Sequence, residues 1–203
     1  MKAAGKAAVF LLIGMLLFEA IQAVLMEKDS YPKYLAWKAT ENVDVVVLGN
    51  SHADNGIRAV TLSDELSANS GESLTVFNYA VYGMRMEQMY YFVKEIFKIH
   101  VPKLVIVETY AFCPLADADR EILARRAFDV FPLSRNKIEA INYCVSDEYA
   151  SYYIPLMKYH TRWEELTIYD SQVLYDSRLW SFYGGNGIHD ETVMEDPGDK
   201  WFT

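Results

Sequence analysis

The sequence predicts an α/β fold built on a parallel sheet and preceded by one transmembrane helix. Three observations predict it. A 19-residue apolar run from Ala7 to Leu25 carries only Glu19 and Gln22 as strongly polar residues. Three short segments rich in Val, Ile and Leu lie between Val43 and Glu108. Helical periodicity separates them, and strand–helix–strand alternation implies crossover connections and parallel pairing.

The apolar run comes first. About 20 apolar residues span a bilayer as a helix. Lys2 and Lys6 precede it, and Glu27, Lys28 and Asp29 follow. Basic residues favour the cytoplasmic side, so the amino terminus is expected inside and the domain outside, as a single-pass protein of the cell membrane. Glu19 would reach toward the headgroups. The competing reading is a cleaved signal peptide, because Ala20-Ile21-Gln22-Ala23 places small residues near the exit. Residues 1–26 are read as the anchor, 27–42 as a juxtamembrane connector, 43–170 as the α/β domain and 171–203 as an irregular tail.

Val43-Asp44-Val45-Val46-Val47-Leu48 ends at Gly49, as a buried parallel strand would. Ala59 to Ala68 reads as a short helix and Leu74 to Asn78 as a second strand. Met84 to Ile99 is the clearest helix, with Met86, Met89, Tyr90, Val93, Ile96 and Phe97 at three- and four-residue spacing. Leu104 to Glu108 reads as a third buried strand. After Pro114 the strands stop, and 116–130, 135–144 and 147–163 read as helices or Tyr-rich loops.

Composition narrows the function classes. The chain of 203 residues is 52% hydrophobic and 14% aromatic, which excludes general disorder. A net charge of −9 argues against a nucleic-acid partner. Cys113 and Cys144 fit no metal motif and read either as a disulfide or as buried thiols. No cofactor is expected.

Ligands of open α/β sheets bind beyond the carboxyl ends of the strands. Those ends are Gly49-Asn50-Ser51-His52, Asn78-Tyr79-Ala80-Val81-Tyr82-Gly83 and Glu108-Thr109-Tyr110. A serine after a buried strand can present its hydroxyl, and nearby backbone N–H groups can face an oxyanion. Ser51 is read as that serine, or as an ordinary helix cap. Asn78 either closes the strand-end loop or touches substrate. Glu108 is either a site carboxylate or a structural acid. His160, Arg162 and Trp163 either pack or meet an anionic ligand.

Val46 through His52 resembles the first block of the SGNH, or GDSL, hydrolase family. The resemblance covers about residues 1–170 and is similar in plan to an envelope subgroup that includes teichoic acid D-alanyl transfer proteins and polysaccharide O-acetyltransferases. It implies a three-layer, flavodoxin-like parallel-sheet sandwich. It implies Ser51 as nucleophile and Gly83 as oxyanion donor; His52, Asn78 and Glu108 are candidate substrate contacts from their place at the strand ends, and His52 otherwise reads as a surface or supporting histidine. Asn50 stands where the family usually has Asp. The third block, Gly-x-Asn-Asp, is missing at Glu108-Thr109-Tyr110. The Asp-x-x-His block that supplies the base is also missing, and its nearest imitation is Asn186-Gly187-Ile188-His189, with His189 as the late base. With three strands, fewer than the family uses, the domain is expected to be incomplete. The implied function is an esterase or acyltransferase acting on acyl groups of cell-envelope glycans, with envelope polysaccharide or an acyl-donor membrane protein as partner. The alternative is a non-catalytic or truncated membrane-anchored envelope protein.

Overall fold

The computed structural model describes residues 2–112, 120–146 and 148–177. Helix α1 (Lys2–Leu25) holds the apolar run. Its segment Ala4–Leu25 has 22 residues with a mean hydropathy of 2.3. At 1.5 Å per residue that is about 33 Å, enough to cross the hydrocarbon of a bilayer. Phe10, Leu11 and Leu16 are exposed along it, as suits contact with lipid. Among the described residues this one helix is long and apolar enough to cross a membrane.

The expected connector contains a helix, α2 (Tyr31–Ala39). Pro32 sits in its first turn, where a missing N–H costs nothing. Trp37 is fully buried, donates Nε1–H to Ile96 O at 3.2 Å, and packs edge-on against Phe77 and His100. The remaining elements are β1 (Val45–Leu48), α3 (Ser51–Gly56), α4 (Ala59–Ser70), β2 (Val76–Asn78), α5 (Met86–Ile96), β3 (Leu104–Val107), α6 (Arg120–Phe128), α7 (Arg135–Cys144), α8 (Tyr149–Tyr153), α9 (Leu156–Tyr159) and α10 (Ile168–Gln172). Short 3-10 turns lie at Thr109–Phe112 and Arg162–Glu164.

The sheet order is β2-β1-β3, with both pairings parallel. Alternate residues of β1 face opposite sides. Val46 and Leu48 join Trp37, Phe77, Phe92 and Phe128 in the larger core. Val45 and Val47 join Ala53, Ala59, Val76 and Ala80 in a smaller one. Ser134 caps α7 by accepting Lys137 N–H at 3.0 Å, and Gly71 ends α4 at φ +75°.

This architecture corrects two expectations. The described residues are 60% helix with a three-stranded open sheet, so the SGNH-type, flavodoxin-like three-layer sandwich is not the fold. The reason lies after Glu108, where every regular element among the described residues is helical. The third strand is not buried either. Leu104 is 50% exposed and Val107 38%, because β3 is a sheet edge that no described element covers.

The end of α1 is built into the domain. The last carbonyls of a helix have no partner within it. Here Arg162 donates Nη1–H to Leu25 O at 2.7 Å and to Met26 O at 2.9 Å. Lys28 Nζ donates to Val24 O at 3.2 Å and also to Met26 O. Arg162 is itself held by Asp170, with Nη2 to Oδ1 at 2.7 Å. Leu25, Met26 and Tyr159 close a small apolar cluster around this joint. Burial draws the Lys28 ammonium down to about 8, against the pull of Asp170.

Candidate functional site

The strand-end segments converge as packing. Gly49 admits the close approach, since a Cβ there would lie 2.6 Å from Glu108 Cβ and 2.7 Å from Ala53 Cβ. Asn50 is the residue that caps α3; its Oδ1 accepts His52 N–H at 3.1 Å. Ser51 follows as the first helical residue and is half-buried. Glu108 braces the ends of β1 and β3 by accepting the backbone N–H of Asn50, at 3.3 Å, and of Tyr110.

Asn78 is buried and its side chain is saturated. Its Nδ2 donates to Ala53 O and Ile57 O, each at 2.8 Å, and its Oδ1 accepts Ala80 N–H at 3.0 Å. Gly83 adopts φ +71° on the turn that Met84 N–H closes onto Val81 O at 2.9 Å. A Cβ at Gly83 would collide with the Leu123 side chain.

The geometry supplies no base for Ser51 among the described residues. His52 Nδ1 lies 3.0 Å from Asn50 Oδ1, and its ring stacks on Tyr110 at 4.3 Å between centroids. His100 Nε2 contacts Trp37 O at 2.8 Å, and the exposed His160 contacts Met157 O at 3.0 Å. Among the described residues no serine–histidine–carboxylate relay forms, and with the helical fold this overturns the expected SGNH esterase or acyltransferase. No group of His, Cys, Asp and Glu suited to a metal is present among the described residues. His189, Cys113 and the possible Cys113–Cys144 pairing lie outside the described residues.

A cavity lies beside these strand-end segments. Its volume is about 360 Å³, within the usual range for small-molecule sites of about 300–1,000 Å³. Its walls come from the start of α2, from α3 and from the loop after β2. Lys33 and Asp54 form a buried ion pair in it, and Lys33 also donates to Ala80 O at 2.9 Å. Burial pulls the Lys33 ammonium below its ordinary value although Asp54 opposes this. Arg126 and Asp29 pair across the mouth at 3.8 Å. Tyr82 donates its hydroxyl to Asn55 Oδ1 at 2.6 Å. Lys33, Asp54, Asn55 and Tyr82 were not expected as a group. Tyr82 lies in the strand-end segment read from the sequence and Asp54 one helical turn beyond Ser51; Lys33 is remote and carries no local signal.

No family model matches the chain, and no curated protein or solved structure matches it either.

Proposed function

We propose that the protein is a non-catalytic, membrane-anchored binding protein of the cell envelope. In this reading α1 crosses the membrane once and holds the domain on the extracytoplasmic side. Lys2 and Lys6, ahead of the apolar run, support that orientation. The observation that carries the binding role is the composition of the cavity. Its charges are paired with one another, so an ionic ligand finds no spare partner in Lys33–Asp54 or Arg126–Asp29. The walls also carry aromatic surface, from Tyr82 and Tyr169, and neutral polar groups, from Ser30 and from Asn55, which holds the Tyr82 hydroxyl. Tyrosine faces and amides suit a neutral polyhydroxyl ligand, so the ligand class is a segment of envelope polysaccharide.

Ser51, His52 and Glu108 belong to the rim in this reading, with Asn78 and Gly83 holding the loop that shapes the cavity. The test is retention of the full-length chain, in detergent micelles, on immobilised cell-wall polysaccharide. Tyr82→Ala should lower retention about tenfold if it removes a stacking and hydrogen-bonding contact. A fluorophosphonate probe should leave Ser51 unlabelled. Stoichiometric labelling of Ser51, or retention indifferent to Tyr82, would defeat the reading.

A further inference from the structure

A second cavity, of about 320 Å³, lies where the end of α1 meets the domain. It shares no lining residue with the first. Gln22 of α1 and Met26 just after it form one wall, and Tyr34 and Lys38 of α2 another. The third comes from Asp129 through Leu133 and from Lys137. Gln22 is one turn from the end of α1, so the cavity opens at the depth of the lipid headgroups.

Two lining side chains carry an acceptor with nothing to accept. Gln22 Oε1 and Asp129 Oδ1 are both buried and have no hydrogen-bond partner among the described residues. The other oxygen of Asp129 is satisfied by Tyr159 Oη at 2.8 Å and Arg125 Nη1 at 3.4 Å. A buried acceptor without a donor costs about 1–3 kcal/mol, which a donor-bearing ligand would recover. The charge of the surroundings decides what kind of donor. Arg125 and Lys137 are buried beside Asp129, and Lys38 stands exposed over the Tyr34 ring. Lys137 spends one N–H on Phe131 O at 2.8 Å and has others to give. Against these three cations stand Asp129, Glu19 near Tyr31, and Glu95 beside Tyr34 and Lys137, the last already paired with Lys98 at 2.7 Å. The balance is positive, so an ammonium donor is disfavoured and hydroxyl donors on an anionic molecule are favoured.

We infer that this cavity binds a polyol phosphodiester headgroup, its hydroxyls donating to Gln22 Oε1 and Asp129 Oδ1 and its phosphate lying against Lys38 and Lys137. The membrane depth of the site makes a lipid such as phosphatidylglycerol the natural source. The binding does not depend on the glycan cavity or on any activity at Ser51.

The test uses the full-length chain reconstituted in nanodiscs of phosphatidylcholine with minor, equal amounts of phosphatidylglycerol, phosphatidylserine and phosphatidylethanolamine. After detergent extraction, the lipid retained on the protein is measured by mass spectrometry. Phosphatidylglycerol should be enriched over the other three. Gln22→Leu and Lys38→Gln should each reduce the enrichment about fivefold, the loss of one hydrogen bond or surface ion contact. Neither threatens folding, since Gln22→Leu adds an apolar side chain to an apolar helix and Lys38 is exposed. Displacement of the retained lipid by soluble glycerol 1-phosphate would support the headgroup chemistry and locate the affinity in the headgroup alone. Equal retention of all four lipids would overturn the inference. So would enrichment of phosphatidylserine equal to phosphatidylglycerol, or enrichment unchanged in both variants.

Discussion

Replacing Arg162 by Ala tests the joint between α1 and the domain. Arg162 makes three hydrogen bonds, to Leu25 O, Met26 O and Asp170 Oδ1. A hydrogen bond from a charged donor is worth about 1.5–3 kcal/mol net, but the three losses are unequal. Met26 O keeps Lys28, and Asp170 keeps Thr167 N–H at 2.9 Å and the Thr167 hydroxyl at 3.0 Å. Leu25 O and Asp170 Oδ1 lose their described partner. The Arg162 side chain is 18% exposed, so water relieves part of the loss. The expected cost is about 3 kcal/mol, near the lower end for breaking a buried pair. Urea unfolding of the full-length chain in micelles, followed by tryptophan fluorescence, measures it. A double-mutant cycle with Asp170→Ala should return a coupling of about 1–2 kcal/mol. A change under about 0.5 kcal/mol for Arg162→Ala, within the range of ordinary surface substitutions, would refute the idea that the two parts are joined there.

Three further outcomes follow from the same structure. Gly83→Ala should destabilise the domain by about 1–3 kcal/mol, because it combines a positive φ with a collision against Leu123. Thermal melting should show Leu123→Ala relieving only part of it, since the backbone strain stays. Asp170 is held below the usual carboxylate range: burial pushes it up, but the Thr167 and Arg162 hydrogen bonds outweigh that. Its stabilisation is therefore complete above the unfolded pKa of about 3.9 and lost as pH falls through the lower folded value. Wild type should lose stability more steeply than Asp170→Asn below about pH 4, as melting at graded pH will show. Burial pushes the Cys144 thiol up to about 12, so it should react with iodoacetamide at pH 8 far more slowly than a free thiol; mass spectrometry of the alkylated chain would reveal fast modification.

The parts of the fold legible in the sequence were those that local chemistry dictates. The Val45–Leu48 run is β-branched and stops where Gly49 must admit Glu108. The helical spacing of α5 was legible but its buried face only in part: Met89 and Ile96 are buried together with Phe92, which lay outside the stripe, while Met86 is 50% and Tyr90 60% exposed. Helix α2 was missed because a nine-residue helix beginning Tyr-Pro has little periodicity of its own, and Trp37 becomes a core residue only through Phe77 and His100, far along the chain. The third strand misled by composition: Leu-Val-Ile-Val is what a buried strand looks like, yet its burial depends on a neighbour that local sequence does not specify. The site misled in the same way. Gly-Asn-Ser-His has the order of a nucleophile turn, but Asn50 and Tyr110 hold His52, and the expected three-layer sheet is absent. The Lys33–Asp54 pair joins residues 21 apart, which no spacing rule would find.

The clamp of Lys28 and Arg162 on the final carbonyls of α1 removes the swivel that usually separates an anchor from its cargo. A membrane span leans to match the thickness of its bilayer. Under the proposed anchoring, with its last carbonyls held by Arg162 and Lys28, a lean of α1 would carry the domain with it like the arm of a crane. The height of the Lys33–Asp54 cavity above the lipid would then report how thick the surrounding bilayer is.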